Sequence, residues 1–241
     1  MIDLVLLPGL LNDADLWRDQ VEALSDIARI RVGDITRGDT IEAVADQVLA
    51  EAPQAFALAG FSLGGIVAQE ILRRAAARVT RLALLDTTIA PDGPERAASR
   101  RALDRAARVP GRFHGFGDRL LATYLHPSHR GDAEIVGRIR AMTERLGPEI
   151  FRRQNGLERR DGSALLRGWR KPLLILCGEA DAVTPLADHR AMAALAPGAR
   201  LVVVPESGHL TPIEQPGAVS RALRDWLAEA GAPLPGPPAI A

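Results

Sequence analysis

Short apolar runs alternate with longer amphipathic stretches along most of this chain, and that alternation limits the fold more than any other feature. Residues 2–7, ended by Pro8-Gly9, read as a buried strand. Residues 30–32 form a weak, short strand, and 54–59, 80–85, 173–177 and 201–204 four stronger ones. Between them, residues 15–25, 41–49, 63–77, 188–195 and 217–230 carry helical spacing. Leu16, Val21 and Leu24 make the inner face of the first helix, and Asp39 or Thr40 caps the second. Strands alternating with helices imply βαβ units, hence an α/β protein with a mostly parallel sheet and helices on both faces. Ligands of such sheets bind outside the carboxyl ends of the strands, so residues there carry the functional reading.

The rhythm breaks over residues 91–170. They show no convincing buried strand, only Arg-rich helical patterns interrupted at Pro110-Gly111, His126-Pro127 and Gly147-Pro148. This divides the chain into a core of residues 1–90 and 171–231, an insertion of 91–170 and a tail, 232–241, whose four prolines predict disorder. The insertion carries 17 Arg against 10 acids, net +7, and the remainder is net −7. The total is zero, so nothing in the composition supports binding to nucleic acid. A single cysteine, Cys177, rules out an intramolecular disulfide. No run approaches the roughly 18 apolar residues of a membrane span. Asp3 stands where a signal peptide carries positive charge, so the expectation is a cytoplasmic protein that does not act at a membrane.

The chemistry concentrates at the strand ends. Gly60-Phe61-Ser62-Leu63-Gly64, followed by Gly65, sits between a strand and a helix, the context that a G-x-S-x-G nucleophile elbow requires. Ser62 is the candidate nucleophile. A hydroxyl needs a base. His209, in Ser207-Gly208-His209 just after the strand 201–204, is the candidate among five histidines. His114, His126 and His129 lie in the insertion and at most line a pocket, and His189 reads as a surface residue of a helix. Asp181, after the strand 173–177, is the candidate acid to orient the imidazole. Asp86, at the end of 80–85, is the alternative, and Glu179 is expected to point away. Backbone N–H groups of Leu10, after the first strand, and of Leu63, after the nucleophile, are the candidate oxyanion hole. No cluster of His, Cys, Asp and Glu has metal-ligand spacing, and no cofactor is implied.

Taken together, Leu7-Pro8-Gly9 with Trp17, the Ser62 elbow, Gly178-Glu179-Ala180-Asp181 with Thr184-Pro185, and Ser207-Gly208-His209 with Glu214-Gln215-Pro216 resemble the α/β-hydrolase superfamily over residues 2 to 230. The resemblance is to its small cytoplasmic branch of esterases, enol-lactonases and carrier-protein methyl esterases. It implies that residues 91–170 form a helical cap. Two features depart from the pattern. Pro8 stands where many relatives carry His, and the two leading strands of the fold are absent.

The expected function is hydrolysis of a carboxylic ester or lactone through an acyl-enzyme on Ser62, His209 and Asp181. The substrate is a small molecule, anionic if the cap arginines recognise it, or an ester borne on an acidic carrier protein. Phe113, Phe116, Leu120, Leu121, Tyr124, Leu125 and Phe151 are candidates for an acyl pocket or for ordinary packing, and Trp169 for packing. The alternative keeps the same three residues for a cofactor-free lyase or C–C bond hydrolase acting on a carboxylated substrate. A ligand-binding protein on this fold stands third, because the catalytic set is complete.

Overall fold

The computed structural model describes residues 1–109, 115 and 117–229. The expected tail, 232–241, lies outside these residues, as do His114, Phe113 and Phe116. Strand β1 (Ile2–Leu7) leads through a 3-10 turn (Ala14–Trp17) into α1 (Arg18–Leu24), then β2 (Ala28–Val32), α2 (Ile41–Glu51), β3 (Phe56–Phe61), α3 (Leu63–Ala75) and β4 (Val79–Leu85). Before the next strand the described residues form α4 (Pro94–Ala107), α5 (Asp118–Tyr124), a 3-10 turn (Pro127–His129), α6 (Ala133–Gly156) and α7 (Ser163–Gly168). The chain then forms β5 (Leu173–Gly178), α8 (Leu186–Leu195), β6 (Arg200–Val204), α9 (Thr211–Glu214) and α10 (Pro216–Ala228).

All six strands are parallel, in the order β2-β1-β3-β4-β5-β6. β3 and β5 are buried at every residue, as strands covered on both faces must be. β2 lies at the sheet edge, with Ala28 buried and the rest alternating between exposed and partly buried positions. One face packs against α1 and α10, where Trp17, Leu24, Leu223 and Trp226 are fully buried. The other packs against α2, α3 and α8, through Val44, Val67, Ile71 and Met192.

Three local readings of the sequence are refined. The strand expected at 54–59 runs two residues later, because Gly60 and Phe61 continue the ladder opposite Leu84 and Leu85. The helix expected at 15–25 is broken at Trp17, where Asp13 accepts the Asp15 N–H at 3.0 Å and winds a tighter turn first. Val21 is therefore only half-buried. Of the two candidate caps for α2, Asp39 and Thr40, it is Thr40 that accepts the Ala43 N–H. Within α6 the helix kinks at Gly147-Pro148, where Gly147 has φ 71°. No described helix is long and apolar enough to cross a membrane.

Candidate active site

The carboxyl edge of the sheet is where the backbone departs from ordinary conformations. Four loops leaving it each hold one non-glycine residue in the left-handed region: Leu11 (φ 54°), Ser62 (50°), Asp86 (46°) and Glu206 (49°). Each such residue costs about 1–3 kcal/mol and persists only where its surroundings impose it. At Ser62 the surroundings are close. Its N–H donates to Leu85 O at 2.9 Å, and its carbonyl accepts from the Gly65 N–H at 2.9 Å and the Thr87 hydroxyl at 2.7 Å. A Cβ on Gly60 would collide with the Gly64 carbonyl, and one on Gly64 with the Leu7 and Pro8 carbonyls. Glycine at both positions lets the turn from β3 into α3 close against β1.

The structure brings Ser62, His209 and Asp181 into one line. His209 Nε2 lies 2.9 Å from Ser62 Oγ, and Nδ1 lies 2.8 Å from Asp181 Oδ2. The imidazole is fully buried between the Phe61 ring, 5.3 Å away, and the edge-on Tyr124 ring, 5.0 Å away. Asp181 Oδ1 accepts the N–H groups of Val183 (2.7 Å) and Thr184 (2.9 Å), and Oδ2 accepts the Thr184 hydroxyl at 2.7 Å. Burial works to raise the Asp181 carboxyl. The facing His209 and the donated hydrogen bonds outweigh it and hold the group below its ordinary value.

Asp86 is also buried, but it bonds elsewhere. It accepts from the Gly178 N–H at 2.9 Å and from the Thr211 hydroxyl. Burial, with the charge of Asp181 adding to it, pushes Asp86 well above the carboxylate range. The two carboxyls are thus driven in opposite directions, Asp181 down beside the imidazole and Asp86 up. Glu179 is exposed, as expected.

Leu10 and Leu63 both line the cavity that contains Ser62, and their N–H groups have no acceptor among the described residues. The loop carrying Leu10 is fixed from α6: Gln154 Oε1 accepts the Leu11 N–H at 2.9 Å, and Gln154 Nε2 donates to Ile35 O at 3.3 Å. The cavity holds about 480 Å³. Its far wall comes from the helices between β4 and β5, including Leu120 and Tyr124. Leu121, Leu125, Phe151 and Trp169 are buried among core residues instead. A separate, larger groove of about 790 Å³ lies between α4 and α6, lined by Arg101, Arg105, Arg152 and Arg153, and does not include Ser62.

His189 corrects the sequence reading. It is fully buried, not on the surface. Nε2 accepts the Thr87 N–H at 3.2 Å and Nδ1 faces Pro185 O at 3.3 Å. Burial lowers its pKa and favours the neutral ring this arrangement needs. His189 thereby holds Thr87, which in turn holds the Ser62 carbonyl.

Reading the sequence also left the role of Glu214 unassigned. Its carboxylate is buried and collects four donors: the Gly208 and Leu210 N–H groups on Oε1 (3.0 and 3.1 Å), and the His126 N–H and His129 Nδ1 on Oε2 (2.7 and 3.1 Å). Gly208 and Leu210 flank His209, whose own N–H donates to Tyr124 O at 2.6 Å. Neither His126 nor His129 lines the cavity; His129 Nδ1 and the His126 backbone N–H meet Glu214, and the His126 ring bonds Ser128. Glu214→Gln turns one acceptor oxygen into a donor facing two donors. The expected cost is about 2–4 kcal/mol of stability and a fall in kcat larger than any rise in KM, read by urea denaturation and steady-state kinetics. An unchanged kcat would show that the carboxylate does not position His209.

Among the described residues no group of three or more His, Cys, Asp or Glu could hold a metal ion. The sequence model of the alpha/beta hydrolase family matches residues 4–222. A pimeloyl-[acyl-carrier protein] methyl ester esterase of Aromatoleum aromaticum is 31% identical, over 89% of this chain and 93% of its own length. Among solved structures, a thermophilic esterase from Thermogutta terrifontis, with malate bound, superposes with TM-score 0.84 at 32% identity, covering 95% of this chain and 90% of that one. An enol-lactonase from Burkholderia xenovorans LB400 gives TM-score 0.81 at 25% identity, covering 95% and 92%.

Proposed function

Because the chain belongs to the alpha/beta hydrolase family, among its esterases, we propose that it cleaves a carboxylic ester or lactone through an acyl-enzyme on Ser62. The observation that carries this reading is the unbroken line from Asp181 through His209 to Ser62, with hydrogen-bond distances of 2.8 and 2.9 Å. Ser62 Oγ attacks the carbonyl while His209 Nε2 takes its proton. Negative charge on the tetrahedral oxygen meets the Leu10 and Leu63 N–H groups and the positive end of α3. Collapse expels the alcohol, which leaves with the proton from His209. Water then gives its proton to His209 and attacks the acyl-enzyme, and the acid is released as Ser62 recovers its hydrogen. Asp181 keeps Nδ1 protonated throughout and offsets the charge of the imidazolium.

Residues 91–170 act in this reading as a cap that excludes water from the cavity. The ester is a small molecule or is presented by an acidic carrier protein. The groove between α4 and α6 favours the second source, since it adjoins the cavity through Arg100 and Asn155 and holds Arg101 and Arg105, which have no carboxylate partner among the described residues.

A panel of p-nitrophenyl esters of increasing acyl length tests the reading. The expected result is turnover with a preferred length, and a fluorophosphonate adduct on the peptide containing Ser62. A protein that leaves every ester intact, yet exchanges the α-proton of a carboxylated substrate, belongs instead to the lyase or C–C hydrolase reading.

A further inference from the structure

Several arginines of the basic insertion pair with acids of the rest of the chain. Arg145 pairs with Asp13 at 2.8 Å, Arg138 with Asp19 at 2.6 Å, Arg153 with Asp39 at 3.2 Å, and Arg160 with Glu42. These contacts fasten the inserted helices to the core. Others close within the insertion, including Arg100 with Asp92 at 2.6 Å and both Arg108 and Arg152 with Asp104. The net charge of +7 therefore overstates the field available to a substrate.

Two guanidiniums in the cavity with Ser62 escape this cancellation. Arg96, on α4, and Arg159, just beyond α6, both line it, and neither has a carboxylate partner among the described residues. Both are half-buried. Each is anchored through one terminal nitrogen to backbone oxygen: Arg96 Nη2 to Val183 O at 2.5 Å, Arg159 Nη1 to Asn155 O at 3.4 Å and to Leu157 O. A neutral carbonyl orients a cation without matching its charge, and the other donors of each fork are left over. The remaining charges of the wall are Glu95, which is exposed, and the Arg100–Asp92 pair, which is neutral as a unit. The lining thus carries one positive charge in excess beside the nucleophile.

We propose that Arg96 and Arg159 hold an oxyanion at the end of the substrate remote from the scissile carbonyl, so that the natural ester is itself an anion. The proposal rests on the esterase reading. Planar forks partly withdrawn from water bind a carboxylate or a phosphate with paired hydrogen bonds, and the attraction is stronger there than in bulk solvent. A carboxylate identifies a free half-ester of a dicarboxylic acid. A phosphate identifies the arm of a carrier.

The test compares three methyl esters of equal chain length, ending in a methyl ester, a carboxylate or a phosphate monoester. With the unaltered protein, at least one anionic ester is expected to exceed the neutral one in kcat/KM by roughly tenfold or more. That advantage shrinks as the Debye length falls from about 10 Å at 0.1 M salt to about 3 Å at 1 M. Which anion is preferred names the source. The ratio of anionic to neutral kcat/KM falls toward one in Arg96→Met and Arg159→Met, and furthest in the double variant. Equal kcat/KM for all three esters in the unaltered protein overturns the proposal, as does a preference that survives the double substitution. Failure of the underlying esterase reading looks different: none of the three is cleaved and Ser62 takes no fluorophosphonate. Should the double variant fail to fold, the single variants decide: an anionic-to-neutral ratio unchanged in both Arg96→Met and Arg159→Met overturns the proposal.

Discussion

Ser62→Ala is expected to lower kcat for ester hydrolysis by about a millionfold, leaving only what the oxyanion donors and binding supply. In the proposed mechanism the hydroxyl is the acceptor of the acyl group, and among the described residues no other side chain is aligned with His209 Nε2. His209→Ala should cost a comparable amount, because it removes the base for the first half-reaction and the acid that releases the alcohol. The double variant should be no worse than either single one, since residues that act as a unit do not add. Circular dichroism and the urea midpoint check that the variants fold. Methyl for hydroxyl at Ser62 removes none of the bonds that hold the turn, which run through its N–H and carbonyl. Labelling by a fluorophosphonate at any other serine, with activity retained in Ser62→Ala, would falsify the assignment.

The parts of this site legible in the sequence are those that a one-dimensional pattern can carry. Alternating apolar runs place β1, β3, β4, β5 and β6 to within one or two residues, and the fold then dictates that loops following them share one edge. Ser62, Asp181 and His209 follow from that rule, because each stands just past a strand. The G-x-S-x-G glycines are readable for a steric reason: their side-chain hydrogens face the backbone of β1 and of α3 itself. Hydrogen-bond hubs are not readable in the same way. Nothing in the sequence says that the carboxylate of Glu214 turns inward to gather four donors, two of them from a segment 85 or more residues earlier. His189 shows the same limit. Helical spacing puts it on α8, and only the packing of α8 against the loops after β4 and β5 makes it a buried bridge.

Charge behaves likewise. The excess of Arg in residues 91–170 is a property of composition, whereas its effect depends on pairing. Of the adjacent arginine pairs in that segment, Arg152 and Arg153 reach Asp104 and Asp39, and Arg160 reaches Glu42, so most of the excess fastens the insertion rather than facing a ligand. Arg159 differs from its neighbour Arg160 by one position and faces the cavity.

Asp181→Asn is expected to lower kcat by about ten-thousandfold with little change in fold, and Asp86→Asn by far less. Both carboxyls are buried at the carboxyl edge of the sheet, so the distinction rests on which one faces the imidazole: Asp181 Oδ2 lies 2.8 Å from Nδ1, and Asp86 bonds elsewhere. Asp181 receives hydrogen bonds from two backbone N–H groups, a hydroxyl and His209, all of which favour the anion. Asp86 accepts one N–H and the Thr211 hydroxyl, and burial together with the field of Asp181 pushes its pKa well up. Asparagine at 181 preserves the shape but presents either an amide oxygen or an amide nitrogen to Nδ1. In the first case the imidazolium loses its counter-charge. In the second the ring adopts the tautomer with Nε2 protonated, which cannot accept from Ser62. Asparagine at 86 is nearly the same size and can still accept the Gly178 N–H. Steady-state kinetics of the two variants on one ester decide the point. If Asp86→Asn proves the more damaging, the orienting acid belongs to the loop after β4, and the ionised carboxyl has been misassigned.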